Sequence, residues 1–154
     1  MKFKLLFLTG VVVAVLVVSA GMMIKSREAA ERATVTVNEV PLLVRVADNP
    51  WERRQGLSGF TAAEVDAQGM LFVFKDAAVR EFWMKDMLLD LDVLWIRDGQ
   101  IVGIDSGVKA PADGQEPARM SSQPVPADMV LELPAGYAQK FDLRAGSAIK
   151  IELP

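Results

Sequence analysis

The sequence predicts one mainly β domain, a small sandwich or barrel-like fold with two or three short helices, preceded by an N-terminal hydrophobic helix. Three observations support this fold class. Short runs rich in β-branched and aromatic residues fill most of the chain after the N-terminal segment, and turn residues separate them. Helix-start signals are few, and the segments that follow them are short. The length of 154 residues leaves room for one domain and not comfortably for two.

The N-terminal segment, residues 5–24 (Leu5 to Ile24), carries no charged side chain. A helix of this length rises about 30 Å, which is the thickness of the hydrocarbon core of a bilayer. Lys2 and Lys4 precede it as a short cationic region of the kind that stays in the cytoplasm. We therefore expect a membrane anchor that holds the C-terminal domain outside the cytoplasm. The alternative is cleavage after Ala20, because Val18-Ser19-Ala20 has small residues where signal peptidase reads them; the product would be secreted or periplasmic.

The predicted organisation has three parts: an anchor or signal peptide at 1–24, a charged helical stalk at 25–33, and one β-rich domain at 34–154. In the stalk, Arg27/Glu31 and Glu28/Arg32 have the i,i+4 spacing of helical ion pairs. Polar and apolar residues alternate from Thr34 onward, which is typical of a strand.

Local signals predict the elements of the domain in order. Strands are predicted at 34–37 and 42–47. A short helix follows, with Asn49 as its N-cap, Pro50 at its first position and Glu52 completing a capping box. This helix ends at Gly56. A second capping box at Thr61 predicts another helix that stops near Gly69. Strands are predicted at 70–74, 80–84, 93–97, 101–105, 129–133 and 148–153, with a type I′ hairpin turn at Asp98-Gly99 and a short helix at 137–141. The segment at 105–128 is irregular and forms either a functional lid or a long crossover.

Composition excludes several classes of function. The chain contains no Cys and no His, which excludes disulfides, a cysteine nucleophile, Ser-His-Asp catalysis and the usual zinc sites. From residue 34 onward there are 12 basic and 18 acidic residues, a net charge of −6, whereas nucleic acid and anionic lipid call for a basic patch. We predict no nucleic-acid partner, no cofactor and no resident metal. The membrane is the one partner that the sequence identifies, through residues 5–24.

The densest group of candidate site residues lies between residues 82 and 92. Trp83 is an aromatic plate beside the opposite charges of Lys85 and Asp86. Taken alone, these residues favour core packing with charged loop ends, and a binding site is the alternative. Asp90 and Asp92 share a face if their segment is extended, and they could then hold a cation or act as a carboxylate pair.

Glu132 is the second candidate. It alternates with Val130, so both share one face of a strand. If that face is buried, Glu132 must be paired or its pKa must rise, which makes it a structural ion-pair member or a general acid. Alternatively it is solvated, or bridged to Lys85.

Five blocks of the sequence resemble the "domain of unknown function 192" family in their order and spacing. They are Arg54-Gln55-Gly56-Leu57-Ser58-Gly59, Gly69-Met70-Leu71-Phe72-Val73-Phe74, Phe82-Trp83-Met84-Lys85-Asp86, Leu91-Asp92 and Leu131-Glu132-Leu133-Pro134-Ala135-Gly136.

The resemblance covers roughly residues 40–153 and implies a compact, mainly β domain of prokaryotic proteins that are often exported or membrane-associated. It implies no activity. This sequence departs from the family pattern at Gly59-Phe60, where many members have an aromatic residue followed by Arg, at Asp90, where Pro is frequent, and at Met120, where Tyr is common. The signature positions that it transfers are Gly56, Gly69, Met70, Phe72, Phe74, Trp83, Met84, Lys85, Asp92, Glu132 and Gly136.

Packing explains the apolar signature positions but not Lys85, Asp92 and Glu132. These three residues form either one buried ion-pair network or a small polar site. Three functions follow in order of preference. The first is an accessory module of the cell envelope that binds a ligand or partner at Trp83, Lys85, Asp86, Asp92 and Glu132. The second is a structural envelope protein. The third is a hydrolase of an envelope glycan that uses two carboxylates from Asp86, Asp90, Asp92 and Glu132.

Overall fold

The computed structural model describes residues 31–65 and 69–154, which contain nine strands and two short helices. The predicted anchor or signal peptide at residues 5–24 lies outside the described residues. Within the described ranges, no helix is long and apolar enough to cross a membrane. The elements are β1 Arg32–Val37, β2 Val40–Ala47, α1 Pro50–Gln55, β3 Met70–Ala78, β4 Glu81–Trp83, β5 Leu91–Arg97, β6 Gln100–Val108, β7 Arg119–Ser121, β8 Ala127–Pro134, α2 Tyr137–Lys140 and β9 Lys150–Glu152.

Seven strands form one sheet in the order β6-β5-β8-β3-β2-β1-β9, and β4 pairs with β7 in a separate two-stranded sheet. Only the β2–β3 pair is parallel among these described strands. The large sheet curls into a half-barrel, because the start of β6 approaches the segment before β9. Ile149 N–H donates to Gly99 O over 2.9 Å, and Ile101 N–H donates to Ser147 O over 2.9 Å. The mainly β prediction is therefore confirmed, with a curled sheet as its architecture.

Alternation along the strands produces a core on each face of the large sheet. On β5, Leu94 and Ile96 face one core, whereas Val93 and Trp95 face the other. Because neighbouring residues of a strand point to opposite faces, a strand buried on both sides is apolar throughout. The first core includes α2 and the segment that follows it. The second lies beneath the β4–β7 sheet and the loop after α1, and it contains Leu57, Met84, Met87 and Met120 among others.

Several local predictions are confirmed. Asn49 Oδ1 accepts hydrogen bonds from the backbone N–H groups of Trp51 and Glu52, as an N-cap does. Asp98 and Gly99 have φ values of 50° and 73°, the positive pair that a type I′ turn requires. Helix α2 begins at Tyr137, where the sequence predicted a short helix.

Three other predictions need correction. At Thr61 the capping-box bonds form, with Thr61 Oγ1 donating to Glu64 Oε2 over 2.8 Å, but described residues 61–65 make a turn and no helix. One isolated turn does not repay the cost of helix nucleation. Strand β1 begins at Arg32, so the last two residues of the predicted stalk belong to the sheet. The segment predicted as irregular contains β7 and the end of β6, because pairing with a distant strand orders it.

Candidate functional site

Helix α1 presents the first aromatic side chain of the site. Its N-cap fixes the first turn, since Asn49 Oδ1 lies 3.1 Å from Trp51 N and 3.0 Å from Glu52 N. Trp51 projects from this turn with 62% of its surface exposed. Gly56 ends the helix with a φ of 51°, and the buried Leu57 anchors the loop that follows to the second core.

That loop holds the segment that carries Lys85 and Asp86. Gly59 N–H donates to Asp86 O over 2.8 Å, and Ser58 Oγ donates to Lys85 O over 2.9 Å. On either side of the pair, Met84 and Met87 are buried in the second core. Because both methionines are anchored in the core, Lys85 and Asp86 between them lie at the surface. Asp86 turns the chain there with a positive φ of 56°.

Trp83 lies on β4 and is the centre of the site. It pairs with Arg119 of β7, and 49% of its surface is exposed. Lys85 Nζ and Arg119 Cζ lie 5.3 and 5.1 Å from the centroid of its ring, within cation–π range. These contacts orient the indole at the surface instead of in the core.

Two cavities meet at Trp83, and we call them together the Trp83 surface. The larger has a volume of about 590 Å³ and the smaller about 340 Å³, both in the range of small-ligand sites. Trp51, Arg54, Gln55, Ser58, Gly59, Trp83, Lys85 and Asp86 line the larger cavity, whereas Glu81, Phe82, Trp83, Arg119, Met120 and Ser121 line the smaller one.

Asp92 has a structural role instead. Its Oδ1 accepts from Gly107 N–H over 2.8 Å, and its Oδ2 accepts from Ala138 N–H over 2.8 Å. It is buried on the face of β5 that packs against α2, so it satisfies a free N–H of that helix and fixes the end of β6.

Asp90 is engaged separately, because its carboxylate accepts from Lys109 Nζ over 2.6 Å and from Ala110 N–H over 2.9 Å. These bonds hold the pKa of Asp90 below its usual value, and the hydrogen bond from Lys109 contributes most.

Glu132 is buried on the other face of the sheet. It pairs with Met70 and Val93 of the neighbouring strands and is 5% exposed. Its Oε2 has no hydrogen-bond partner, and burial raises the pKa of Glu132 to about 8. Arg45 lies in the same cross-strand row beyond Met70, also buried, with its guanidinium 5.0 Å from the centroid of the Phe60 ring.

The structure therefore does not bring Lys85, Asp92 and Glu132 together. Asp92 and Glu132 lie on opposite faces of the sheet, and Lys85 is exposed beside Trp83. They form neither one ion-pair network nor one polar site. The carboxylate pair of the hydrolase hypothesis is not assembled from Asp92 and Glu132 for the same reason.

Trp83, Lys85 and Asp86 line one cavity. Sequence reasoning missed Trp51, Arg54 and Arg119. The exposure of Trp51 could have been predicted, because a tryptophan on the first turn of a short helix has little apolar core to pack against. Arg119 gave none, since its position depends on the pairing of β7 with β4.

A protein from Sinorhizobium meliloti 1021, provisionally described as a transcription regulator, is 29% identical with a TM-score of 0.66; the match covers 79% of this chain and 93% of that one. A protein of unknown function from Novosphingobium aromaticivorans DSM 12444 is 23% identical with a TM-score of 0.59 and shows the fold alone; the match covers 77% and 83%. No curated protein sequence matches. The sequence profile of DUF192, described as "Uncharacterized ACR", matches residues 18–151, so this chain belongs to the DUF192 family, whose function is unknown.

Proposed function

We propose that this protein is a ligand-binding accessory module of the cell envelope and that the Trp83 surface is its binding site. One observation carries the proposal: Trp51 and Trp83, 62% and 49% exposed, line the same cavity, whereas Trp95 is buried in the second core. Exposed aromatic side chains that line a concave surface are typical of binding sites. Attachment through residues 5–24, or cleavage near Ala20, would place the module outside the cytoplasm.

The other functions have less support. A hydrolase lacks a carboxylate pair from Asp92 and Glu132, which face opposite sides of the sheet. A purely structural role does not account for two exposed tryptophans. DNA binding, which the description of the S. meliloti protein raises, fits poorly with a net charge of −6 after residue 33.

The three tryptophans provide the test, because their indole N–H groups give separate NMR signals. We expect a binding probe to shift the signals of Trp51 and Trp83. The Trp95 signal should stay unchanged, since Trp95 Nε1 donates to Asp105 Oδ2 over 2.7 Å inside the fold. The probes are cellohexaose, chitohexaose, hexagalacturonate and decaproline, each added to the full chain in nonionic detergent.

The variant Trp83→Ala should lose most of the affinity for any probe that binds, while an unchanged Trp95 signal shows that the fold is intact. Full affinity in Trp83→Ala would contradict the proposal. A probe that shifts Trp95 but neither Trp51 nor Trp83 would also contradict it.

A further inference from the structure

The Trp83 surface carries three cations in a domain that is acidic overall. Within the described part of the chain, Arg54, Lys85 and Arg119 form no ion pair, although the domain is acidic overall. Among the other described cations, five pair with a carboxylate, whereas Arg53, Lys75 and Lys140 do not. These pairs are Arg80–Asp76, Arg97–Asp98, Lys109–Asp90, Arg144–Asp142 and Lys150–Glu152. The cations that line the cavities are thus available to a ligand.

These cations are distributed along the surface. Arg54 and Lys85 line the larger cavity, Arg119 lines the smaller one, and Trp83 lies between them. A single phosphate group is bound best where several donors converge, whereas spaced cations complement charges that repeat along a chain. Each cavity also contains one carboxylate, Glu81 in the smaller and Asp86 in the larger, which can accept hydrogen bonds from hydroxyl groups.

The aromatic groups supply the apolar part of recognition. A sugar ring has a face of C–H groups that packs on an indole, and its hydroxyl groups take planar polar partners such as Gln55 and Asp86. Lys85 and Arg119 rest against the Trp83 ring. An exposed cation–π contact is weak, so either cation can move from the ring to a ligand carboxylate.

We propose that the Trp83 surface binds an anionic glycan, a chain of sugar rings that carry carboxylate groups. This inference rests on the proposed function and specifies its ligand. One ring packs against Trp83, and carboxylates on it and its neighbours pair with Lys85, Arg54 and Arg119. A neutral glycan leaves these three cations unused, and the concave cavities suit a chain of rings better than the flat surface of a bilayer.

The test compares hexagalacturonate with its methyl ester, which has the same rings without the charges. Calorimetry of the full chain in nonionic detergent should show binding of the acid at least about tenfold tighter than of the ester, a difference of about 1.4 kcal/mol. Raising the salt concentration should weaken binding of the acid only. Trp83→Ala should weaken both ligands, whereas Arg119→Gln should weaken the acid alone. Arg144→Gln, an exposed cation paired with Asp142, is the matched control and should change neither.

The outcomes separate this inference from the proposed function. Equal affinity for acid and ester, lost in Trp83→Ala, overturns the anionic glycan and leaves the binding site in place. Binding of chitohexaose but not of hexagalacturonate does the same. Binding to vesicles that contain phosphatidylglycerol, without binding of hexagalacturonate, overturns it in favour of a membrane surface. Binding of the acid that neither Trp83→Ala nor Arg119→Gln changes overturns both proposals.

Discussion

Asp92 and Glu132 lie one position apart in the β5–β8 register, where Asp92 pairs with Leu133 and Val93 with Glu132, but their surroundings are opposite. Asp92 accepts two backbone hydrogen bonds, whereas Glu132 Oε2 accepts none although Glu132 is only 5% exposed. A buried carboxyl without a partner favours its neutral form, because desolvation penalises the charge. The face of the sheet on which each carboxylate lies therefore decides its role: Asp92 is a structural carboxylate, whereas Glu132 resists ionisation.

Glu132→Gln is expected to remove a pH dependence of stability. The pKa of Glu132 is about 8 in the folded protein, against an ordinary value of 4.5, so the folded state binds more protons between these values. The free energy of unfolding should therefore fall as pH rises from 4.5 through 8. At about 1.4 kcal/mol per pKa unit, glutamine should stabilise the protein by a few kcal/mol at alkaline pH.

Denaturant unfolding across this pH range measures the effect. Glu116→Gln, in an exposed loop, is the control and should keep the wild-type pH dependence. An identical pH profile for wild type and Glu132→Gln would show that Glu132 does not hold its proton in the folded state.

Gly69 is expected to tolerate no side chain. A Cβ atom there would lie 2.2 Å from the backbone oxygen of Glu132 and 2.9 Å from Leu133 Cδ2, so β3 and β8 would have to separate. Gly69→Ala should lower the free energy of unfolding by about 3 kcal/mol or more, in the range of severe overpacking. At Gly114 a Cβ meets nothing within 4 Å, so Gly114→Ala, with only its positive φ of 75° as a strain, should cost about 1–2 kcal/mol. Equal melting temperatures for the two variants would contradict the steric explanation.

At the scale of elements, the sequence predicted those caps and turns whose hydrogen bonds join neighbouring residues. The Asn49 cap and the Asp98-Gly99 turn depend on neighbouring residues, and both were predicted. The pairing of β4 with β7, the curl of the large sheet and the contact between Gly59 and Asp86 depend on residues distant in sequence. The sequence therefore predicted only Trp83, Lys85 and Asp86 of the Trp83 surface, which lie in one strand and its loop.

Asp92 links β5 to α2 and to the end of β6, and Asp92→Ala is expected to loosen both. Two backbone N–H groups, of Gly107 and Ala138, would lose their acceptor, at about 1–3 kcal/mol each. Asp92→Asn keeps one carbonyl acceptor and should cost about half as much. Hydrogen exchange should become faster at Ala138 and Gly107 in Asp92→Ala, while exchange in β1 changes only with global stability. Unchanged protection at Ala138 would contradict the capping role.

At the scale of the whole described domain, the last strand completes the sheet. Strand β9 pairs with β1 at Thr34, Val35 and Thr36, and the residues before it bond to β6. A chain that ends at Ser147 should lose cooperative unfolding and self-associate, because the edges of β1 and β6 are left open. A chain that ends at Glu152 lacks only two exposed residues and should behave as wild type in circular dichroism and size-exclusion chromatography. A monomeric, cooperatively unfolding chain ending at Ser147 would contradict this role of β9.

The β1–β9 pairing also affects when the protein can fold during its synthesis. One edge of β1 pairs with the adjacent β2, but the other edge must wait for β9, since Val35 pairs with Ile151. Contacts between residues so far apart in sequence slow folding, because a long loop must close before any contact stabilises it. We therefore expect this edge of the sheet to close only after β9 has left the ribosome, so an incomplete chain keeps the open edge of β1 accessible to chaperones.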